Sequence, residues 1–162
     1  MTIRKTTEHD IAALPGIYAA ARRYMRAEGN MEQWSETYPS AETAREDMVR
    51  GGSYVCVDDD GTVAGTFFFL LGDDPTYDVI YDGTWKNGLP YGVIHRIASD
   101  GSVKGMLRQV LDFCFLHTRV IRIDTHRDNR TMIRGLLNYG FERCGVIRIA
   151  NGDAREAFML TR

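Results

Sequence analysis

Apolar positions along the chain recur in two periods, and the changes from one to the other outline its elements. Ile3 to Thr6 reads as a short first strand. Ile11, Leu14, Ile17, Tyr18, Ala21, Tyr24 and Met25 then follow at helical spacing. Thr7, with Asp10 three residues on, resembles a capping box ahead of that helix. Pro15 has no N–H to donate, so it belongs in the first turn or kinks the helix. Gly29-Asn30 is a stop signal, and residues 31 to 40 form a loop carrying Trp34, Tyr38 and Pro39. A second short helix is predicted over Ala41 to Val49, ended by Gly51-Gly52.

The pattern then turns to strands. Ser53 to Val57 and Thr62 to Leu71 flank Asp58-Asp59-Asp60-Gly61, whose Asp-Gly pair suits a tight hairpin. Residues 72 to 90 form a loop rich in Asp, Gly and aromatics, and Tyr91 to Ala98 is another strand. Val103, Met106, Leu107, Val110, Leu111 and Cys114 keep the i, i+3, i+4 spacing of a helix with one buried face. Val120 to Asp124 is a strand. Thr131 to Asn138 is a short helix with Met132, Ile133, Leu136 and Leu137 inward, and Gly140 stands at its left-handed stop. Phe141 to Ile149 and Arg155 to Thr161 are strands joined through Asn151-Gly152. The order is β-α-α-β-β-β-α-β-α-β-β, an α/β arrangement with a mixed sheet. The helix between Ala98 and Val120 is a crossover, which makes its flanking strands parallel.

Composition narrows the picture. A length of 162 residues suits one domain, spanning 1–162. The net charge of −2, with arginines scattered, points away from nucleic acid. Cys56, Cys114 and Cys144 are an odd number without paired spacing, which argues against a disulfide framework or a zinc site. Cys114 reads as a small core residue, and Cys144 has no histidine near it in sequence. His117 and His126 lack metal-ligand spacing, so no metal is expected. The start of the chain has no apolar h-region, and the longest apolar run, Phe67 to Leu71, is too short to span a bilayer. The expected location is the cytoplasm.

Two segments add chemistry. Val93 to Ala98 is followed by Ser99-Asp100-Gly101-Ser102-Val103-Lys104-Gly105-Met106-Leu107, a strand and a glycine-bearing loop that opens a helix. A helix start supplies free N–H groups and a favourable dipole for phosphate, and glycine lets the backbone come close. Further on stand Asn129, Met132, Leu136 and Gly140-Phe141. Together with the element order, these segments resemble the GNAT family of N-acetyltransferases. The first resembles the acetyl-CoA loop, (Arg or Gln)-x-x-Gly-x-(Gly or Ala), with Ser102 in place of Arg or Gln and Leu107 in place of Gly or Ala. The second resembles Asn-x-x-Ala-x-x-x-Tyr-x-x-x-Gly-Phe, with Met132 for Ala and Leu136 for the Tyr that protonates the departing thiolate in many relatives.

The resemblance implies a GNAT fold, acetyl-CoA as acetyl donor, and an amine acceptor. It implies that the N–H near Ile97 receives the thioester carbonyl and later the oxyanion. Ala98 and Ser99 would meet the pantetheine arm. Ser102, Val103, Lys104, Gly105, Met106 and Leu107, with Asn129, would complete the donor site. His95, on the same strand, is the candidate base, because imidazole titrates near neutral pH. Its alternative role is to shape the pocket through a hydrogen bond. Tyr139 sits three residues past Leu136 and points elsewhere on the helix, so the acid stays unassigned. The acceptor is expected between the first inter-helix loop and the sheet, where Trp34 and Tyr38 stand, with Tyr81 and Trp85 from the 72–90 loop. The acids of that loop, Asp73, Asp74, Asp78 and Asp82, read better as solvated charges than as amine ligands. The leading function is acetyl transfer to a small primary amine. The alternatives are a non-catalytic CoA-binding module and a peptide N-acetyltransferase. The final strands offer an edge through which a homodimer could form.

Overall fold

A computed structural model describes residues 1–162. The elements are β1 (Thr2–Lys5), α1 (Leu14–Ala27), α2 (Ala41–Val49), β2 (Ser53–Val57), β3 (Val63–Leu71), β4 (Gly92–Ser99), α3 (Met106–Phe115), β5 (Val120–Thr125), α4 (Arg130–Tyr139), β6 (Glu142–Arg148) and β7 (Ala154–Thr161). Their order is the one the periodicity predicts, with ends moved by a few residues. No helix is long and apolar enough to cross a membrane.

Two boundary shifts have clear causes. The first helix opens as a 3-10 segment, Glu8–Ala13, and becomes α-helical only at Leu14. Pro15 cannot donate to residue 11, so an α-helix running through both is barred, and Pro15 falls in the first turn of α1. Asp10 accepts from the Thr7 N–H at 2.7 Å and anchors that entry. Helix α3 starts at Met106 and not Val103, because Gly105 is left-handed at φ 69° and holds the preceding residues in a loop.

The seven strands form one sheet in the order β1-β2-β3-β4-β5-β7-β6. All neighbours are antiparallel except β4 and β5, which run parallel on either side of α3. Helices α3 and α4 cover one face through Phe67, Phe69, Ile94, Leu111, Ile121 and Leu136. On the other face α1 and the loop after it bury Leu14, Ile17 and Trp34 against Val55, Val57 and Ala98. Beside them the 72–90 segment seats Tyr77 against Phe68, Tyr91, Val93 and Val120. Each fully buried large apolar side chain contributes about 1.5–3 kcal/mol relative to exposure, so this segment is part of the core.

Two irregularities in β4 shape the site. First, β4 pairs with β5 only from Gly92 to Ile94, opposite Ile121 to Ile123; beyond that the parallel strands part. Second, Thr66 pairs with Ala98 while Phe68 pairs with His95, so β4 carries one more residue than β3 there. The extra residue is Arg96, whose φ is 54°. The bulge lets consecutive side chains share a face: the His95 ring stacks 6.0 Å from Phe68, and the Arg96 guanidinium lies 5.2 Å over the same ring.

Candidate active site

Where β4 and β5 part, a cleft opens on each side. The larger, of about 630 Å³, is lined by Gln33, Trp34 and Tyr38 from the inter-helix loop, Asp74 and Thr76 from the 72–90 segment, His95 and Arg96 from β4, Asp124 from β5, and Arg155 from β7. The second, of about 410 Å³, lies between α1, the Ser99–Gly105 loop and the starts of α3 and α4. A cavity of about 30 Å³ lies between them. It shares Gln33, Trp34, Arg96 and Asp124 with the first cleft, and Met25, Ile97, Asn129 and Met132 with the second.

His95 is clamped by two carboxylates. Its Nε2 is 2.7 Å from Asp74 Oδ2, and its Nδ1 is 3.6 Å from Asp124 Oδ1. The hydrogen bond with His95 holds the Asp74 carboxyl well below the usual carboxylate range; burial opposes this, and the Thr76 N–H adds to it. An ionised Asp74 can only accept, so Nε2 carries the hydrogen in that bond, and Nδ1 is the ring nitrogen that faces Asp124. Asp124 Oδ1 accepts from the Tyr77 hydroxyl at 2.6 Å. Burial first, and then the charge of Asp124, push Tyr77 well above its ordinary value, so it remains a donor. Arg96 is tied to Asp47 of α2 by two contacts, Nε–Oδ2 at 3.1 Å and Nη2–Oδ1 at 2.5 Å, and donates to the Tyr38 hydroxyl at 3.3 Å. It braces the inter-helix loop against the bulge.

In the second cleft, the Gly101 N–H is held by Ser99 Oγ and the Ser102 N–H by Asp100 Oδ1. Those of Val103, Lys104 and Gly105 have no backbone acceptor, and Met106 and Leu107 begin α3, where helix geometry leaves theirs free. Five consecutive N–H groups, Val103 to Leu107, are therefore without a backbone acceptor at the opening of α3. Asn129 caps α4 through the Met132 N–H at 3.2 Å and donates to Gln33 Oε1 at 3.0 Å, which joins the floors of the two clefts.

The residues proposed from the sequence fall into three groups. Ile97, Ser99, Val103, Gly105, Met106, Leu107 and Asn129 line the second cleft. His95, Trp34 and Tyr38 meet in the first, where Trp34 stands edge-on to Tyr18 and Tyr38 at 6.2 and 6.5 Å. The others lie elsewhere. The Ala98 side chain is buried against α1, which leaves only its backbone for a ligand. Ser102 and Lys104 are exposed on the loop. Tyr81 and Trp85 do not line the first cleft. Tyr81 is half exposed and bridges Val146 of β6, while Trp85 packs on Tyr77, donates to its carbonyl at 2.9 Å and covers Arg122.

Asp74, which reads from the sequence as a solvated loop charge, is half-buried against His95, and Asp124, Tyr77, Arg96 and Arg155 join it. Thr125 also emerges: its hydroxyl is buried without a partner on the wall of the connecting cavity. Leu136 is fully buried core, and the Tyr139 hydroxyl is spent on Asp112 at 2.6 Å. Burial, and that bond, push Tyr139 up to about 12. Burial pushes the Cys56 thiol up to about 12 and raises Cys114 and Cys144, so none of the three is an activated nucleophile.

The seven-stranded sheet opens between two central parallel strands, with a glycine-bearing loop and a helix start on one side. Solved acetyltransferase structures share this arrangement. A GNAT-family acetyltransferase from Streptococcus agalactiae superposes with a TM-score of 0.88 at 26% identity, over 99% of this chain and 95% of that one. A ribosomal-protein-alanine N-acetyltransferase from Brucella melitensis superposes at 0.63 with 18% identity over the full length of both. The aminoglycoside acetyltransferase AAC(6')-Ib, in complex with coenzyme A and kanamycin, superposes at 0.66 with 22% identity, over 99% and 94%. No family model and no curated protein matches the sequence. The chain has the fold of the GNAT acetyltransferases.

Proposed function

We propose that residues 1–162 act as one cytoplasmic N-acetyltransferase domain that moves an acetyl group from acetyl-CoA to a small primary amine in a ternary complex. The donor fits the second cleft. Its walls, Ile97, Val103, Met106, Leu107 and Met132, suit an apolar pantetheine arm, and the free N–H groups from Val103 to Leu107 suit the diphosphate, with Lys104 adding positive charge. The acceptor fits the first cleft, and the two meet at the small cavity beside Ile97.

An alkyl ammonium has a pKa of about 10.4, so the acceptor arrives charged and must lose a proton. Asp124 attracts the ammonium, and the His95 Nδ1 lone pair beside it takes the proton, directly or through one water. Asp74 is a positioning residue that fixes which ring nitrogen is free. The amine lone pair then forms a C–N bond to the thioester carbonyl carbon, and the carbonyl oxygen becomes an oxyanion received by the N–H near Ile97. Collapse breaks the C–S bond, the sulfur leaves with the electron pair as a thiolate, and the second proton of the former ammonium passes through water to that thiolate, leaving a neutral amide and free CoA thiol. The donor to that sulfur is the Thr125 hydroxyl, a reading supported by its lack of a partner on the wall of the connecting cavity.

The observation that carries this reading is the join of the two clefts at the parting strands, with a doubly clamped histidine on the acceptor side. The test is His95→Gln. Its kcat falls by a factor of about 100 or more and the acidic limb of the pH profile disappears. A variant with the wild-type profile removes His95 from the chemistry.

A further inference from the structure

Arg155, in β7, has an unusual lack of partners. The residue is 6% exposed and lies on the wall of the acceptor cleft. Its Nη1 donates to the Ala154 carbonyl at 3.0 Å, and its Nη2 reaches the Gln33 carbonyl only at 3.5 Å. No carboxylate is within ion-pair distance and no aromatic ring covers it. Taking a guanidinium out of water without an anion is costly. Two other arginines drawn into the fold have a carboxylate or aromatic rings against the guanidinium, although Arg122 Nε is without a hydrogen-bond partner. Arg96 has Asp47. Arg122 is sandwiched between Trp85 and Tyr91 at 4.3 and 4.0 Å and touches none of the three cavities.

At the rim of the same cleft, Arg50 lies 4.6 Å over Phe68 and also has no carboxylate partner. Across the cleft is the opposite charge. Asp124 pairs in register with Ala157, two residues from Arg155 on the adjacent strand. The two therefore stand on one face, offset by about 7 Å along the strand direction. One cleft thus presents Asp124, with the proton acceptor His95 beside it, and, along the same face, the Arg155 guanidinium; Glu32 and Asp153 also line the cleft, and neither is paired with Arg155.

We propose that the acceptor is a compact zwitterion, an amine that carries its own carboxylate, as a free amino acid does. This rests on the acetyltransferase reading above and names the substrate class of that site. The ammonium group lies at Asp124 and His95; the carboxylate lies on Arg155, whose planar fork matches it, with Arg50 at the entrance. A polyamine or an aminoglycoside brings only positive charge and meets Arg155 and Arg50 with repulsion.

The experiment measures acetyl-CoA binding by calorimetry and then thiol release with free amino acids, the same amino acids as amides, polyamines and aminoglycosides. The expected result is an amino acid with kcat/KM at least 10-fold above that of its amide. In Arg155→Met that ratio collapses towards one through a rise in KM for the acid, and Arg155→Lys restores part of it. A merely structural Arg155 would lower the rate for acid and amide alike and leave their ratio intact, which overturns the proposal. So does a preference for amides or polycations. Donor binding with no turnover of any amino acid overturns it while the donor cleft stands. Failure to bind acetyl-CoA overturns the acetyltransferase reading itself.

Discussion

Replacing Asp74 by Asn removes one negative charge from the clamp on His95 and leaves nearly everything else in place. The Asn Oδ1 can still accept from the Thr76 N–H, now bonded at 2.9 Å, so the turn at Pro75–Tyr77 keeps its cap. What is lost is the charge-assisted bond to Nε2 at 2.7 Å. Hydrogen bonds to a charged group contribute about 1.5–3 kcal/mol. At about 1.36 kcal/mol per decade, losing that hold on the reactive tautomer lowers kcat about 10- to 150-fold. The amide can also turn its NH2 towards the ring and select the opposite tautomer, which acts in the same direction. The assay is thiol release with the best acceptor at pH 7, with both KM values and a thermal melt from the same preparation. Stability supplies an independent check. The folded Asp74 carboxyl is held below its ordinary value, so its stabilisation is present above about pH 3.9 and lost as pH falls through the lower folded value. The melting difference between wild type and variant is therefore full at pH 7 and narrows below about pH 4. A kcat within twofold of wild type, with unchanged acceptor KM, refutes the positioning role.

Three further predictions probe other parts of the molecule. Asp10→Asn, which breaks the pair with Arg4 at 2.8 Å, destabilises the fold by about 1–3 kcal/mol at pH 7 in denaturant melts. Arg4 holds the Asp10 carboxyl far below its usual range, against burial and with help from Thr7; the penalty should therefore fade below about pH 4, and a penalty independent of pH contradicts this. Thr125→Val removes an unpartnered buried hydroxyl at nearly constant volume, so stability holds or rises while kcat falls if the hydroxyl serves the leaving sulfur; an unchanged kcat excludes that role. Gly83→Ala would place a Cβ 2.0 Å from the Cys144 carbonyl oxygen at a φ of 151°, and it should cost about 1–3 kcal/mol or more and loosen the 72–90 segment, read as faster amide exchange at Tyr81 and Val146.

Local pattern carried the order of elements, because each strand and helix has a buried face whose period is written into neighbouring residues. The crossover between Ala98 and Val120 implied the one parallel pair, and that pair proved to be where the sheet opens. His95 was legible as the one histidine on a strand that leads into the glycine loop. Its partners were not: Asp74 is 21 residues away and meets it through the path of the 72–90 segment, and Asp124, 29 residues away, meets it through the β4–β5 pairing that sets Ile94 opposite Ile123. That same path took Tyr81 and Trp85 away from the cleft: the hydrogen bonds between Tyr81 and Val146 bind the segment to β6, and Trp85 closes over Arg122. The Arg96 bulge leaves no mark in composition, because it is a mismatch between two strands. Arg155 reads in sequence as the first residue of a strand, and only its burial without an anion gives it meaning. Leu136 could be seen to lack a hydroxyl, but the orphan Thr125 hydroxyl became visible only when the connecting cavity had walls.

The central claim is that two substrates occupy two clefts and react where the clefts join. Its most direct test is calorimetric titration with acetyl-CoA followed, in the same cell, by acceptor-dependent thiol release. The account predicts one binding site per chain, weakened by Gly105→Ala, which strains the left-handed start of α3 by about 1–2 kcal/mol. It also predicts thiol release that requires an added amine and is lost in His95→Gln. Absence of acetyl-CoA binding, or thiol release that proceeds equally without acceptor and without His95, would contradict it.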